Sequence, residues 1–557
     1  MSKSNYILGI SSYYHDSSAC LFKDGELVFA CEEEKFTGVK HDSSFPKNVI
    51  NYIFKTYTLK TSDIEVICFY EQPELKKERV KTFVKKNILK NPIYGIKSLF
   101  KFYKNQKDLK QNLKKLGIPV FYSKHHDSHL YYSIYSSKFN KCLALSIDGV
   151  GEWDTSTYTH FEDGKFKSEV ISTYPHSIGL FYSAMTAFLG FKPNEGEYKM
   201  MGLSSYGKPS KYIEPMRELI KFIDGKIICD MTTFNWDRST NTMFNYNLSK
   251  KLGVLPRTPE SKITSTHEDI ASSVQLRYEE LLFELINYYG GDNKNIVLGG
   301  GCAYNGLANG KIYDKTKIKH VWVPPSPSDS GSSVGSCINY LINIKKIKVD
   351  IPLTPFIGPS FRFNKTNKEK FGITNSITVD NDTLYRVIAK QIYRGNVVGW
   401  FRDEIEFGAR ALGNRSILAD PTNPLMKDRI NKLIKRREGF RPFAPMVTQQ
   451  RQSEFFDIVD DIPYMNQVVK VKDEYRDKLV SITHVDGTAR VQTVYDDNPI
   501  FNLLREFEKL SSYPILLNTS FNVRDKTMVL TPKDALSTFK ETDIDVLVIQ
   551  NTIIFKK

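Results

Sequence analysis

Short apolar runs separated by turn-forming residues dominate the start of the chain. Apolar residues at 7–10 are followed by a polar stretch at 11–18, and a second apolar run at 19–22 leads through Asp24-Gly25 into a third at 27–30. Such runs are typical of buried strands, and Asp-Gly between two of them favours a two-residue hairpin. We therefore expect three strands here, with a hairpin between the last two.

The same arrangement recurs later in the chain. Apolar residues 143–147 lead into Asp148-Gly149-Val150-Gly151, and Asp163-Gly164 gives a second hairpin signal. Two copies imply a duplicated α/β unit. Actin-like ATPases hold phosphates with such hairpins, because glycine turns let backbone N–H groups approach an anion, so Gly149 and Gly151 are predicted to bind nucleotide or substrate. Two unrelated hairpins are the alternative, since Asp-Gly is common.

Two further turns add candidate ligand contacts. The strand–turn–helix pattern at 297–305 contains Gly299, Gly300 and Asn305, and the N–H groups at a helix start favour a phosphate. Its spacing matches neither the Walker pattern nor GxGxxG, so the motif alone is weak. Lys199 stands beside a small-residue turn at 202–207 and is a candidate cation.

Two histidines spaced one helical turn apart suggest a metal site. On a helix, His125 and His129 share one face, and this spacing lets one divalent ion bind both. Two ligands do not close a site, so carboxylates must come from elsewhere, and Asp148 at a strand end and Asp329 in a Ser/Pro loop are the candidates. A His₂Asp₂ set suits Fe²⁺, Mn²⁺ or Zn²⁺ without choosing among them. Purely structural histidines are the alternative.

Positive charge is concentrated in one segment. Lys and Arg number 78 against 63 Asp and Glu, a net charge of +15, and fourteen of the basic residues fall at 76–115 beside only Glu78 and Asp108. Apolar residues at helical spacing lie between them, interrupted by Pro92: Val80, Phe83, Val84, Ile88 and Leu89. The segment suits an anionic acceptor, a nucleic acid or a membrane face. We favour a pair of helices with a solvated lysine face, because lysine gives little bidentate recognition.

Composition excludes several classes of protein. With 557 residues and 13% aromatic residues, the chain can bury a large core in three or four structural units. No apolar run approaches the roughly 18 residues that span a bilayer, and the first residues turn polar before a signal-peptide core could form. Seven cysteines without a CxxC pair indicate reduced thiols. We therefore expect a cytoplasmic protein that is neither secreted nor inserted in a membrane.

A second module is predicted after residue 348. The Pro/Gly-rich stretch 352–359 follows a basic run and is typical of a linker. All seven cysteines precede residue 340, which also points to a change of module. We place a first domain at 1–348, a linker at 349–362 and a second domain at 363–557.

Basic residues in the second module predict an anion pocket. Six basic residues are candidates: Arg410, Arg415, Lys435, Arg437, Arg441 and Arg490. The first two lie in a loop, the next three lie at or just beyond the end of a predicted helix, and the last lies in a later segment. This helix is predicted to begin near Pro424 and to stop at Gly439. Charge that complements a helix C-terminus explains two or three, whereas six suit two phosphate-bearing ligands at once. Ser520 and Asn522 add hydroxyl and amide groups at a predicted strand end.

Taken in order, the motifs of the first module resemble those of the NodU/CmcH-type O-carbamoyltransferases. The resemblance covers nearly the whole chain and rests on Tyr14-His15-Asp16-Ser17-Ser18-Ala19, Glu32-Glu33-Glu34-Lys35-Phe36, His125-His126-x-x-His129, Asp148-Gly149-x-Gly151, Lys199-x-x-Gly202-Leu203-x-x-Tyr206-Gly207 and Gly299-Gly300. It implies a duplicated actin-like (ASKHA, TsaD-like) domain whose metal ligands are His125, His129, Asp148 and Asp329, with iron as the expected metal. Where the family has Ala-Pro-Tyr-Gly, this chain has Ser204-Ser205-Tyr206-Gly207, and we expect little effect on the chemistry.

The second module is similar to YrdC-like domains. Lys435-x-Arg437 with Ser520-x-Asn522 matches their KxR…SxN signature. The resemblance implies a C-terminal YrdC-like α/β domain that forms carbamoyl-AMP from carbamoyl phosphate and ATP with Mg²⁺, with Lys435 and Arg441 as catalytic residues.

Together the two resemblances imply an ATP-dependent O-carbamoyltransferase. Its acceptor is expected to be a hydroxyl of a sugar, an antibiotic or a polysaccharide precursor, which attacks beside the metal. His15 or Asp16 is the candidate to accept the hydroxyl proton, and an Asx turn is the alternative role of Asp16.

The expected partners are small molecules. We expect no nucleic acid and no membrane insertion, and a homodimer is compatible with the sequence. A threonylcarbamoyl-type tRNA-modifying enzyme stays open because the charge permits it, although aromatics interleaved with arginine are not obvious at 76–115. An actin-fold ATPase or kinase would form ADP and leave the C-terminal arginines without a purpose. A metallohydrolase lacks the HExxH glutamate.

Overall fold

The computed structural model describes residues 5–87, 92–239 and 241–556. The chain forms two compact units: unit 1 comprises Met1–Phe29 and Ser43–Pro352, and unit 2 comprises Ala30–Asp42 and Leu353–Lys557. Both units mix helices with strands, so the α/β prediction is confirmed. The early segment that groups with unit 2 is too short to leave a mark in composition.

Unit 1 is built on two five-stranded sheets with the same strand order. The strands are β1 (Tyr6–Ser11), β2 (Ser18–Lys23), β3 (Glu26–Glu32), β4 (Ile64–Phe69), β5 (Val120–Tyr122), β6 (Lys141–Ile147), β7 (Asp154–Glu162), β8 (Glu169–Thr173), β9 (Ile220–Ile223), β10 (Lys226–Cys229), β11 (Asn295–Gly299) and β12 (His320–Trp322). One sheet has the order β3-β2-β1-β4-β5 and the other β8-β7-β6-β11-β12, while β9 and β10 form a separate pair. In each sheet the third strand of that order pairs antiparallel with one neighbour and parallel with the other, β1 with β2 and β4, and β6 with β7 and β11. The predicted duplication is therefore confirmed.

Both Asp-Gly pairs form turns at strand ends. Asp24 and Gly25 have φ of 51° and 90°, and Asp163 and Gly164 have φ of 48° and 80°. Positive φ at both central residues is the signature of a two-residue hairpin turn that matches strand twist. These local predictions are confirmed.

The helices of unit 1 bring small residues into close contact. They are α2 (Lys47–Thr56), α3 (Pro73–Asn87), α4 (Pro92–Leu116), α5 (His125–Ser137), α6 (Ile178–Phe188), α7 (Glu197–Leu203), α8 (Ile213–Leu219), α9 (Tyr246–Leu252), α10 (Ser265–Tyr289), α11 (Gly306–Lys315) and α12 (Asp329–Tyr340); α1 (Glu33–Thr37) lies in the early segment of unit 2. Helices α5 and α12 pack together, and a Cβ on Gly335 would overlap the carbonyl oxygen of Ser128. This close approach places the start of α12 beside α5.

The basic segment forms the predicted pair of helices. Helices α3 and α4 pack against each other, and α4 buries Phe102, Leu109 and Leu113. Ile88 and Leu89 of the predicted pattern lie outside the described residues. None of the helices in the described stretches has the length and apolar character needed to cross a membrane.

Unit 2 is an eight-stranded sheet with helices on both faces. Its strands are β13 (Ser376–Thr378), β14 (Val398–Phe401), β15 (Arg415–Ala419), β16 (Ala444–Thr448), β17 (Val469–Lys470), β18 (Thr488–Ala489), β19 (Gln492–Val494), β20 (Ile515–Ser520), β21 (Val546–Ile549) and β22 (Thr552–Phe555). The sheet order is β13-β22-β21-β14-β15-β20-β16-β19, and β17 pairs with β18. The helices are α13 (Lys365–Lys370), α14 (Asn381–Tyr393), α15 (Met426–Arg429), α16 (Gln452–Phe455), α17 (Asp473–Arg476), α18 (Ile500–Ser511) and α19 (Pro532–Glu541).

Successive side chains of a strand point to opposite faces of the sheet, so the core of unit 2 consists of two clusters, one on each face. On β14, Trp400 joins the cluster formed with α14 and α18, whereas Phe401 joins the cluster on the other face with α19. Helix α15 continues as a π-helical turn to Lys435 and ends at Arg436, which has a φ of 49°. The prediction that the helix ends at Gly439 was therefore wrong. The helix ends three residues earlier, at Arg436, whose backbone adopts the left-handed conformation.

Candidate functional site

Two histidines and two aspartates converge in unit 1. His125 and His129 lie one turn apart on α5, and their Nε2 atoms are 3.1 Å apart. Asp148 follows β6, and its Oδ2 lies 3.1 Å from His125 Nε2 and 3.5 Å from His129 Nε2. Asp329 begins α12, and its Oδ1 lies 3.5 and 3.6 Å from the same two nitrogens. All four side chains are buried and could hold a metal ion.

The spacing and chemistry of this cluster fit such an ion. Donor atoms around a tetrahedral ion with bonds of about 2.1 Å are about 3.4 Å apart, and the nitrogen–nitrogen and nitrogen–oxygen separations here are 3.1–3.6 Å. Both carboxylate oxygens of Asp329 are buried and have no hydrogen-bond partner among the described residues. Burying a carboxylate without hydrogen bonds is costly, and a bound cation would reduce that cost. The donor set suits Fe²⁺, Mn²⁺ or Zn²⁺.

The charges of the cluster favour a cation as well. Burial lowers the pKa of His125, but Asp329 and Asp148 raise it to about 9. Burial raises the pKa of Asp148, yet both histidines hold it well below its usual value. Burial raises the pKa of Asp329. The carboxylates therefore draw positive charge into the cluster.

Glu152 fixes the start of the helix that carries the histidines. Its carboxylate accepts hydrogen bonds from the backbone N–H of His125, at 3.0 and 3.2 Å, and from that of Gln72, at 2.8 Å. Sequence reasoning missed Glu152, although it directly follows Gly151 of the acidic turn, because its partners are backbone groups that only the fold brings near.

Two other contacts orient the ligands. Ser332 Oγ lies 3.0 Å from Nδ1 of His129, and the N–H of Gly301 donates to Oδ1 of Asp148 at 3.2 Å. Outer contacts of this kind set ligand orientation and basicity. The glycine run at 299–301 was the available sequence signal for Gly301, and Ser332 had none.

His15 and Asp16 lie beside the cluster. Nδ1 of His15 is 2.9 Å from Oδ2 of Asp16, and its Nε2 is 3.9 Å from Oδ2 of Asp329. Burial lowers the pKa of His15, but Asp329 and Asp16 raise it to about 10. The structure thus brings both residues next to the predicted metal ligands, with Asp16 against the imidazole.

The predicted glycines line the same region and serve close packing. A Cβ on Gly151 would lie 2.9 Å from the rings of His125 and His126, and the Gly151 N–H donates to the carbonyl oxygen of Asp154 at 2.8 Å. A Cβ on Gly299 would lie 3.2 Å from Cβ of His129. These contacts give each glycine a structural reason, and phosphate binding stays a prediction.

The other glycines hold the turns in place. Gly300 has a φ of 83°, and a Cβ there would overlap the carbonyl oxygen of Ile147. The carbonyl oxygen of Gly149 accepts a hydrogen bond from Ser177 Oγ at 2.7 Å. Gly149 directly follows Asp148, and the N–H of Gly301, next to Gly300, donates to that aspartate, so both turns lie beside the His–Asp cluster. Ligand binding by their N–H groups stays a prediction.

Lys199 and Asn305 have different surroundings. Lys199 is half-buried on α7. Asn305 caps α11 by accepting from the N–H of Ala308, at 3.1 Å, and exchanges two hydrogen bonds with the amide of Gln275. The amide of Asn305 is therefore engaged by the protein itself, and ligand binding by either residue stays a prediction.

Helix α3 turns two cations toward the site. Lys76 Nζ forms a buried ion pair with Glu71 at 2.8 Å and lies over the Tyr14 ring. Arg79 donates to the carbonyl oxygen of Gly151 at 2.5 Å. These two basic residues contact the site and do not belong to the solvated lysine face.

In unit 2, Lys435 joins the two residues predicted to accompany it. Its Nζ donates to the carbonyl oxygens of Ser520, at 2.7 Å, and Asn522, at 3.0 Å, and also to the side chains of both. Burial, with Arg437, Arg441 and Lys40 nearby, holds the Lys435 pKa well below its usual value. No salt bridge joins Lys435 to a carboxylate among the described residues, so an anionic ligand would compensate its buried charge.

Further arginines crowd the same region. Burial lowers the pKa of Arg490, and the charges of Arg410, Arg437 and Arg441 lower it further. Nε of Arg490 is buried without a hydrogen-bond partner in the described chain. Arg437 donates to Oδ1 of Asn431 at 2.7 Å and lies over the Phe443 ring. Three of the six predicted basic residues, Arg410, Arg437 and Arg441, thus lie close enough to Lys435 or Arg490 to lower its pKa.

Arg415 has a different environment. It is fully buried over the Phe401 ring, and its guanidinium donates to the carbonyl oxygens of Arg402, Asp403 and Asn414. Burial lowers its pKa to about 10. These main-chain contacts stabilise the loop, and its predicted contact with phosphate stays untested.

Glu406, which sequence reasoning missed, organises the loop that carries the arginines. Its Oε1 accepts hydrogen bonds from three backbone N–H groups, those of Leu412, Asn414 and Arg415, at 2.8–3.1 Å. Glu406 opens the loop motif in the sequence, but its partners are backbone groups that no pattern identifies.

Comparison with known families covers both units. A family model described as carbamoyltransferase N-terminus matches residues 6–338, and one described as carbamoyltransferase C-terminus matches residues 389–556.

Two relatives are similar over nearly the whole chain. An uncharacterized protein of Synechocystis sp. is 36% identical, over 99% of this chain and 97% of the relative. Nodulation protein NolNO of Sinorhizobium fredii is 30% identical, over 98% of this chain and 80% of the relative.

Component A of (R)-2-hydroxyglutaryl-CoA dehydratase from Acidaminococcus fermentans, a solved structure, is 14% identical over 60% of this chain and 96% of that chain. Its TM-score of 0.33 is too low to support an argument about the fold.

Proposed function

The chain belongs to the carbamoyltransferase family, and from that premise we propose that it is an ATP-dependent O-carbamoyltransferase. Carbamoyl transfer by an enzyme of this family is established by the family match. The proposal adds that unit 2 is YrdC-like and activates the carbamoyl group as an adenylate, and that unit 1 is actin-like and passes the group to a hydroxyl acceptor.

The activation proposed for unit 2 consumes two anions. Water cleaves carbamoyl phosphate to carbamate and phosphate, and a carbamate oxygen then attacks the α-phosphorus of ATP. The bond to the bridging oxygen breaks, so carbamoyl-AMP and pyrophosphate are formed. The crowded cations would bind the phosphates and stabilise the charge that develops on the departing pyrophosphate.

One observation carries this proposal. Burial lowers the pKa values of Lys435 and Arg490, and the nearby charges of Arg437 and Arg441 lower both further. Like charges repel in a partly buried pocket, and a bound anion would add compensation beyond the ion pair of Arg441 with Glu438. A ligand with several phosphates would supply that compensation.

The transfer proposed for unit 1 uses the His–Asp cluster. A divalent ion held by its four residues, iron by resemblance, would polarise the carbamoyl oxygen as a Lewis acid and compensate the carboxylate charge that otherwise keeps His15 protonated. His15 Nδ1 faces Asp16, which leaves Nε2 as the atom that takes the proton of the acceptor hydroxyl. The hydroxyl oxygen bonds to the carbamoyl carbon, and AMP leaves.

The proposal is tested by the products of ATP and carbamoyl phosphate. We expect pyrophosphate and AMP from the wild-type protein. Lys435→Ala should lose pyrophosphate release, whereas the control Lys432→Ala, an exposed residue on the same helical turn, should keep it. His125→Ala should retain pyrophosphate release and lose transfer. Formation of ADP alone would reject the proposal.

The acceptor is tested by mass spectrometry. Candidate hydroxylated sugars, antibiotics and polysaccharide precursors are incubated with enzyme, ATP and carbamoyl phosphate. We expect one of these compounds to gain a single carbamoyl group, and the gain should disappear with His125→Ala.

A further inference from the structure

The outward side of α4 is basic and carries exposed aromatic rings. The side chain of Phe100 is 72% exposed and that of Tyr103 is 48% exposed. The exposed lysines of the helix are Lys97, Lys101, Lys104, Lys107, Lys110, Lys114 and Lys115. Positions i, i+3 and i+7 share one side of a helix, so Phe100, Tyr103 and Lys107 lie together.

The acidic residue of α4 faces the protein. Asp108 accepts hydrogen bonds from the Tyr13 hydroxyl, at 2.5 Å, and from Asn112, at 3.1 Å. No salt bridge joins the seven exposed lysines to a carboxylate within the described part of unit 1. Glu74 of α3 lies near enough to Lys110 for that lysine to contribute to lowering the glutamate pKa. The outward face of α4 nevertheless carries a large excess of positive charge around two aromatic rings.

A solvated helix accounts for the lysines but not for the rings. Lysine faces keep helices soluble, and nothing in that role requires a phenyl ring that is largely exposed among them. A basic face with aromatic rings on it is typical of helices that lie on a membrane surface, where the lysines attract anionic lipids and the rings enter the headgroup region.

We propose that the outward face of α4 docks on the surface of an anionic phospholipid bilayer. Lysines act as point charges and suit a diffuse layer of headgroup phosphates, whereas ordered polyanions favour the planar fork of arginine, which α4 lacks. A second copy of this chain would present the same positive face and repel it. The bilayer is thus the occupant that charge and aromatic rings favour together.

A shallow groove on the same helix fits this role. It has a volume of about 330 Å³ and is lined by side chains that include Tyr103, Lys107, Lys110 and Lys114. Three lysines around an aromatic ring can hold the phosphate of a headgroup and pack against its glycerol carbons. The proposal does not depend on carbamoyl transfer.

The test is sedimentation of the full chain with vesicles. One set contains phosphatidylcholine alone and the other an equimolar mixture with phosphatidylserine. We expect binding to the mixed vesicles, at least roughly tenfold weaker binding to the neutral ones, and release at high salt. Equal binding to both sets, or no binding to mixed vesicles at low salt, would overturn the proposal.

Matched variants locate the surface. Lys101→Gln, Lys104→Gln and Lys107→Gln together should weaken binding about tenfold or more, and Phe100→Ser should weaken it less. The control changes three exposed lysines of unit 2, Lys365→Gln, Lys370→Gln and Lys533→Gln, for the same loss of charge. Pyrophosphate release and the circular dichroism spectrum should be unchanged in both triple variants.

Two outcomes separate other surfaces from the proposed one. If the control loses as much binding as the α4 variant, attraction is set by net charge and the α4 face is not the docking surface. If single-stranded RNA binds the α4 face more tightly than the mixed vesicles do, the face recognises nucleic acid and the proposal is wrong.

Discussion

Glu152 controls His125 without being one of the four candidate ligands. Its carboxylate accepts a hydrogen bond from the backbone N–H of His125 at 3.0 Å, so it fixes the first turn of the helix that carries both histidines. Glu152→Gln keeps the size but removes the charge and one acceptor oxygen. We expect metal affinity, measured by competition with a chelator, to fall by about tenfold or more.

A surface glutamate provides the control for this change. Glu162→Gln removes an exposed partner of Lys141 and should leave metal affinity unchanged. If the two variants lose metal equally, Glu152 does not position the site.

The buried side chain of His484 leads us to expect that unit 2 loses stability in acid. Burial lowers its pKa to about 4, Arg490 and Lys427 act in the same direction, and Asp486 opposes them. An unfolded histidine titrates near pH 6.5, so between about pH 6.5 and 4 the unfolded state binds the additional proton. This stability is fully present above about pH 6.5 and falls as the pH drops toward 4, by at most about 1.4 kcal/mol per pH unit.

The pH dependence can be assigned by substitution. His484→Asn cannot gain the proton, so its urea midpoint should change less with pH across that window, by about one proton. An unchanged slope would show that other groups cause the acid sensitivity.

The candidate metal ligands could be predicted from the sequence, whereas the residues that orient those ligands could not. The i, i+4 spacing of His125 and His129 is a property of any helix, and Asp148 and Asp329 stand in recognisable turns. Glu152 instead accepts hydrogen bonds from backbone N–H groups. Every residue except proline has such a group, so no pattern of side chains predicts this contact.

At the scale of elements, the contact between α5 and α12 sets the distance between the histidines and Asp329. Gly335 faces Ser128, and a methyl group there would overlap the carbonyl oxygen of that residue. Gly335→Ala must therefore push the helices apart, at a cost of about 1–3 kcal/mol in the free energy of unfolding. It should also weaken metal binding, because Asp329 moves away from His125 and His129.

The control for the helix contact is a glycine with open space around it. A Cβ on Gly439 would meet nothing within 4 Å, so Gly439→Ala should leave thermal stability nearly unchanged. Metal binding that survives in Gly335→Ala at wild-type strength would contradict the proposed role of this contact.

Local signals predicted elements well, and long-range pairing was out of reach. Asp24-Gly25 and Asp163-Gly164 form their turns because two adjacent residues decide the geometry. Helix α15 and its π-helical extension end at Arg436 and not at Gly439, and the guanidinium of Arg436 donates to the carbonyl oxygen of Glu541 at 2.8 Å. A contact between residues more than a hundred positions apart cannot be read from the local sequence. The strand order of unit 2 depends on pairings across more than a hundred residues, such as β14 with β21, and no local pattern specifies it.

At the scale of the whole molecule, the division into two units assigns the two proposed steps to different cores. The His–Asp cluster lies in unit 1, whereas Lys435 and its neighbouring arginines lie in unit 2. Composition indicated a change of module near residue 350 but not the return of Ala30–Asp42 to unit 2, since thirteen residues carry too little compositional signal.

Separate cores predict that each ligand stabilises one unit. A ligand that binds only folded protein adds about 2.7 kcal/mol at a concentration one hundred times its dissociation constant. Calorimetry should therefore show a divalent metal raising one unfolding transition, and ATP with carbamoyl phosphate raising another, each by several degrees. His125→Ala should abolish only the metal shift and Lys435→Ala only the nucleotide shift. If either substitution abolished both shifts in a folded protein, the two ligands would share one site, and the assignment of activation and transfer to separate units would be wrong.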